Sequence, residues 1–198
     1  IRDRTYRDYL ARLAGIDLPA AAEKLGIEIK GGAAIIPLMG QPYRVSTAGV
    51  TGPEGRKPRL EISVVLCRYL LMCPKDLPRA DVWAAYRDFK DTGPLTVFFA
   101  NDVEQLIANR FSGRLKRLRS VCEKFGGRPP RLELSYELAM EFTLLPRIPA
   151  LLLFNDADDE FPAACSVLFK SGTDEYLDAE SLAILASLFA LRLCRKNI

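Results

Sequence analysis

The sequence predicts an α+β fold, a single domain over residues 1–198 with a mainly antiparallel, mixed sheet packed against several helices. Three observations carry that prediction. The apolar pattern switches between a helical period and a two-residue period along the chain. The strand signals fall into two separated groups with no regular strand–helix–strand alternation between them. The 198 residues, 49% apolar and 27% charged, are enough to enclose one good core.

Taken in order, "TYRDYLARLAG" places Tyr6, Tyr9, Leu10 and Leu13 at helical spacing, and Gly15 ends that helix. Asp17 can cap a second short helix, "LPAAAEKLG", which carries Pro19 in its first turn and Gly26 at its end. Ile27 and Ile29 then alternate, Gly31-Gly32 turns, and a β-type run follows. "QPYRVSTAGV" reads as a further strand leading into the loop "TGPEGRKP". Pro58 opens "PRLEISVVLCRYLLMC", a helix apolar around most of its circumference and therefore central. "DVWAAYRDFKDTGPLTVFF" reads as irregular or short-strand material. Asp102 begins a long helical stretch that bends near Gly113 and ends at Gly126-Gly127.

The last third predicts up to three strands, "LELSYELAMEFTLLP", "ALLLFN" and "AACSVLF". The second and third form a hairpin, with Leu151 to Phe154 facing Ala164 to Phe169 across a polar turn. A final helix follows, capped by Asp178 and with Leu182, Leu185, Leu188 and Phe189 at core spacing. Arg192, Arg195 and Lys196 complement its negative end.

Composition excludes several functions. The chain has no histidine, which removes Ser-His-Asp and Cys-His catalysis and His-ligated zinc or haem. The five cysteines, Cys67, Cys73, Cys122, Cys165 and Cys194, form no CxxC and stand in apolar contexts. An odd number of such thiols points to a reducing, cytoplasmic setting. No apolar run reaches the roughly 18 residues of a membrane span. The first residue is Ile1 rather than Met, so a native N-terminal segment is expected to have preceded it. "TGPEG" and "FGGRPP" lack the P-loop lysine and the dinucleotide fingerprint.

From Leu145 to Ser181 the chain shows Leu145, Pro146 and Pro149, then the acidic turn Asp159-Glu160-Phe161-Pro162. Leu168-Phe169, Tyr176-Leu177 and Glu180-Ser181 follow at ordered intervals. Weaker echoes are "RYLL" at Arg68 to Leu71, Trp83, "YRDF" at Tyr86 to Phe89, and Gly126-Gly127. This pattern resembles domain-of-unknown-function family 3786, a group of bacterial and archaeal proteins with no established activity. The resemblance implies a bacterial or archaeal protein and, by association, a role near corrinoid or iron–sulfur metabolism in anaerobes. Some relatives carry an additional N-terminal cysteine cluster; here no cysteine precedes Cys67.

Three candidate sites emerge. Asp156, Asp158, Asp159 and Glu160 crowd the hairpin turn. If residues 156–160 are extended, Asp156, Asp158 and Glu160 share one side at about 7 Å spacing and offer hard oxygen ligands to Mg²⁺ or Ca²⁺. The bland alternative is a solvated hairpin tip. Arg110, Arg114, Lys116, Arg117, Arg119, Lys124, Arg128 and Arg131 set eight cations against one acid, Glu123. Arg110, Arg114 and Arg117 are the proposed anion contacts, against the alternative of a solvated helix face. Trp83, Tyr86, Arg87 and Phe89 supply ring surface and a guanidinium that fit either a ligand pocket or an aromatic core. Phe161-Pro162 is expected to press Glu160 against the fold, so Asp159 or Glu160 should pair with Arg87, as a structural clamp or at a pocket rim.

The resulting expectation is a non-catalytic domain that binds a ligand, cofactor or partner protein. Two rivals stand beside it. One is a carboxylate-dependent, Mg- or Ca-assisted enzyme using the acidic turn with Arg87. The other is a binder of an anionic partner through the Arg110–Arg131 helix, with nucleic acid disfavoured by a net charge of only +3.

Overall fold

The computed structural model describes residues 2–195, with side chains from residue 4 onward. Two helices, α1 (Arg2–Leu13) and α2 (Leu18–Leu25), lead into a four-stranded antiparallel meander. Its strands are β1 (Glu28–Lys30), β2 (Ala33–Leu38), β3 (Gln41–Ser46) and β4 (Gly49–Thr51), adjacent in that order. Helix α3 (Leu60–Leu71) follows. A short strand β5 (Trp83–Ala85) precedes α4 (Thr96–Phe99), which runs through a π-helical turn at Ala100–Gln105 into α5 (Leu106–Phe111). After α6 (Leu115–Lys124) come β6 (Leu138–Leu145), β7 (Ile148–Asn155) and β8 (Ala164–Lys170), then α7 (Ala179–Cys194). The second sheet has the order β5-β8-β7-β6 and is also antiparallel throughout.

The α+β class therefore holds, with the strands divided between two sheets. The expected hairpin is present: Leu151 lies opposite Leu168 and Phe154 opposite Cys165. Local chemistry sets many ends as the sequence suggests. The Asp17 carboxylate accepts from the Ala20 amide at 3.0 Å, and Gly26 closes α2 in the left-handed conformation. Asp178 accepts from the Ser181 amide at 2.8 Å and starts α7. Gly113, at φ +71°, separates α5 from α6.

Other boundaries differ. "QPYRVSTAGV" holds two strands, β3 and β4, rather than one. The third-to-last strand begins only at Leu138, because Leu132, Leu134 and Tyr136 stay exposed and their stretch runs outside the sheet. The helix expected from Asp102 starts six residues earlier, at Thr96. Lys196 lies outside the described residues.

Helices α3 and α7 form the centre. Val65, Leu66, Cys67 and Tyr69 of α3 are fully enclosed, as are Leu182, Leu185 and Ala186 of α7. Burial of each such large side chain contributes about 1.5–3 kcal/mol. The two sheets are tied directly where the Met39 amide donates to the Leu144 carbonyl at 2.8 Å. Leu188 departs from the core expected of it: it is only half-buried and lines a surface cleft.

Candidate functional site

The acidic turn is built for structure. It is not extended: Asp158 accepts from the amides of Glu160 at 2.8 Å and Phe161 at 2.7 Å, which curls the chain into a tight turn. Those bonds, with Phe161 foremost, hold its carboxyl below the usual carboxylate range. Asp156 reaches across to the start of α6. Its oxygens accept from Gly113 at 2.6 Å and Leu115 at 3.3 Å, a helix cap delivered from another part of the chain. The Arg114 position itself supplies no side-chain cap. Asp159 and Glu160 are exposed, and Phe161 is 67% exposed, so it presses nothing against the fold. Among the described residues no three Cys, Asp or Glu side chains converge as metal ligands.

The expected pairing of Arg87 with Asp159 or Glu160 does not form. Arg87 is 76% exposed, and its carboxylate neighbour is the adjacent Asp88 at 4.0 Å. Exposure removes the reason for a clamp, since a hydrated guanidinium needs no buried partner. Trp83 is used locally: the Lys170 ammonium, directly opposite in the β5–β8 register, lies 4.3 Å from its ring centroid. Tyr86 and Phe89 are core residues, with Tyr86 stacked on Phe99 at 4.3 Å. The acid near Arg87 is one that sequence reasoning missed. Glu104, on the π-helical turn, accepts from the Val167 amide at 3.0 Å, just past the point where β5 stops pairing with β8. Burial raises its carboxyl above the ordinary range, opposed by the Val167 bond and by Arg87.

The basic helix is likewise partly structural. Arg110 donates to the Cys194 carbonyl at 3.3 Å, and Arg114 to the Arg110 carbonyl at 3.5 Å. Arg117 is exposed on the outer face of α6. The five thiols are all free. Burial pushes Cys67 and Cys122 up to about 12 and Cys194 to about 11, so none is a ready nucleophile at neutral pH.

The cations that converge lie elsewhere. A cleft of about 640 Å³ opens between the β2–β3 hairpin, the loop before α3 and the C-terminal ends of α6 and α7. Its walls carry Arg56, Lys57, Arg59, Lys124, Arg192 and Arg195, against one lining acid, Glu54. Glu54 pairs with Arg56 at 2.8 Å, and Glu61 lies 3.5 Å from Arg59. Lys57, Lys124, Arg192 and Arg195 have no carboxylate partner among the described residues. The floor is apolar, with Leu38, Met39, Ile62, Phe125, Leu188 and Leu191. A cleft of this size suits a small organic ligand.

Arg192 is the key group. It is half-buried, its guanidinium lies 4.7 Å from the Phe125 ring centroid, and one nitrogen donates to the Met39 carbonyl at 3.0 Å. Burial lowers its pKa; Tyr43 pulls the other way and the neighbouring Arg195 adds to the lowering. Among the described residues, a cation so placed has no carboxylate counter-charge.

A family model for a domain of unknown function, DUF3786, matches residues 17–192. The chain belongs to that family. Comparison with curated proteins and with solved structures found no match. Nearly all of the cleft lies inside the DUF3786 match, with Arg195 just beyond its end. Sequence reasoning noticed Arg192 and Arg195 only as helix-end charges. The other cleft cations come from segments too far apart in the chain to be read together. Among the described residues, no helix of this DUF3786 domain is long and apolar enough to cross a membrane.

Proposed function

We propose that this DUF3786 domain is a non-catalytic binding module whose cleft holds a small, multiply charged anion. The observation that carries the reading is Arg192: a half-buried guanidinium, fixed by Phe125 and the Met39 carbonyl, with no carboxylate partner among the described residues. Lys57, Lys124 and Arg195 surround the same cavity. Water screens such charges weakly in a concave, apolar-floored site, so an entering anion is attracted more strongly there than on an open face.

The enzymatic rival requires acids and arginine in one cleft, whereas Arg87 and the acidic turn are separately committed or solvated. On the Arg110–Arg117 face, Arg114 and Arg117 are exposed to solvent and Arg110 is already bonded to the Cys194 carbonyl. The odd set of cysteines in apolar surroundings supports a cytoplasmic setting for the domain.

Titration calorimetry with pyrophosphate at constant pH tests the reading. A saturable signal should appear and weaken as salt is raised. Lys124→Gln combined with Arg195→Gln should lower the affinity at least tenfold, about 1.4 kcal/mol, with melting temperature little changed. No saturable binding by the wild type, or equal binding by the double variant, refutes it.

A further inference from the structure

We infer that the anion entering this cleft carries a planar aromatic ring, and that the ligand class is a ring-bearing diphosphate or triphosphate ester such as a nucleoside diphosphate. The inference rests on the anion-binding reading above and adds what the apolar half of the cleft would recognise. An inorganic anion alone would use the cations and leave that half uncovered.

The geometry around Arg192 supplies the ring site. The Arg192 guanidinium carbon lies over the Phe125 ring, 4.7 Å from its centroid, and the bond to the Met39 carbonyl restrains the group. A delocalised planar cation held in this way is a good platform for a flat ring, through both stacking and cation–π attraction. Tyr43, half-buried on β3, lines the same cavity. Leu191 lines it too while remaining 41% exposed, an apolar surface that a bound ring would cover.

The wall that fixes Arg192 is unusual backbone. Met39 and Gly40 form the two-residue connection between β2 and β3 with φ of +47° and +78°. A large side chain is rarely found there, since asparagine, aspartate or glycine fits the turn better. Met39 is nevertheless pinned from both ends, its amide to Leu144 and its carbonyl to Arg192. Strain held by several contacts beside a cavity marks a position whose geometry matters. Lys57, Lys124 and Arg195, together with the edge of the Arg192 guanidinium, then receive the phosphates.

Pyrophosphate, ADP and dimethylallyl diphosphate separate the possibilities, each titrated into the full chain. ADP should bind at least tenfold more tightly than either of the others. Tyr43→Leu, which keeps apolar bulk, should remove most of the ADP advantage and leave pyrophosphate affinity within twofold. If ADP binds no better than pyrophosphate, the ring inference is overturned while the anion site stands. If dimethylallyl diphosphate matches ADP, the cleft recognises apolar bulk and planarity is refuted. Failure of pyrophosphate and both esters to bind overturns the anion reading and this inference with it.

Discussion

The acidic turn at residues 156–160 and the basic cleft hold charge in opposite ways. The turn concentrates four carboxylates within five positions of sequence, yet two of them are occupied by backbone amides of the same chain. The cleft draws its cations from separated segments, and four of them have no carboxylate partner among the described residues. Charge density along a sequence is thus a poor guide to unsatisfied charge in space. What matters is whether the folded chain supplies the counter-groups: among the described residues it does so for Asp156 and Asp158, and not for Lys57, Lys124, Arg192 and Arg195.

The largest effect that could break this contrast is at Asp156. Asp156→Ala should cost about 2 kcal/mol, because the Gly113 and Leu115 amides at the start of α6 lose the acceptor that caps them. Denaturant unfolding measures the loss, and amide exchange should quicken at residues 113–116. Unchanged stability would mean that the turn is not the structural element described. In the cleft the balance reverses. Arg192→Gln should change stability by less than about 1 kcal/mol, since it trades one hydrogen bond for relief of a desolvated charge. The same substitution should weaken pyrophosphate binding more than tenfold. A large stability loss with unaltered binding would make Arg192 a structural residue.

Glu104 is a half-buried acid that, unlike the cleft cations, has a partner in the Val167 amide. Its folded carboxyl lies above the ordinary range through burial. A raised acid contributes most to stability when protonated, below the unfolded value of about 4.3, and that contribution is lost as pH rises through the folded value. Glu104→Gln keeps an acceptor for the Val167 amide and stays neutral. It should melt higher than wild type at pH 7, and the gap should shrink as pH falls through the raised folded value and be closed below about 4. A gap independent of pH contradicts the assignment. The smallest effects belong to the exposed tip. Phe161→Ser and Glu160→Gln should each stay within about 0.5 kcal/mol of wild type.

Much of the fold was legible because it depends on local pattern. Asp17, Asp178 and Gly26 act at the helix ends where their side-chain chemistry places them, and the β7–β8 hairpin follows from two apolar runs around a polar turn. The division into two sheets was not legible, because strand periodicity does not say which strands pair across 80 residues of intervening chain. Trp83, Arg87, Asp159 and Glu160 illustrate a second limit. Each has functional chemistry, but the β5–β8 register sends Trp83 to Lys170 and leaves Arg87 in solvent. Arg110 and Arg114 turn toward backbone carbonyls for the same reason: position along a helix does not reveal the acceptors that other elements bring. The cleft was invisible because it exists only when the Met39 turn, the 52–62 segment, Lys124 and the end of α7 meet. Met39 at a glycine-favouring turn was the one signal that could have pointed to it.

A backbone-amide NMR titration of the ¹⁵N-labelled chain with pyrophosphate decides whether the cleft is the anion site. Saturable shifts are expected, confined to residues 38–43, 52–62, 124–125 and 188–195. Shifts centred instead on Arg114 and Arg117 at the outer face of α6, or no saturable shifts anywhere, would contradict it.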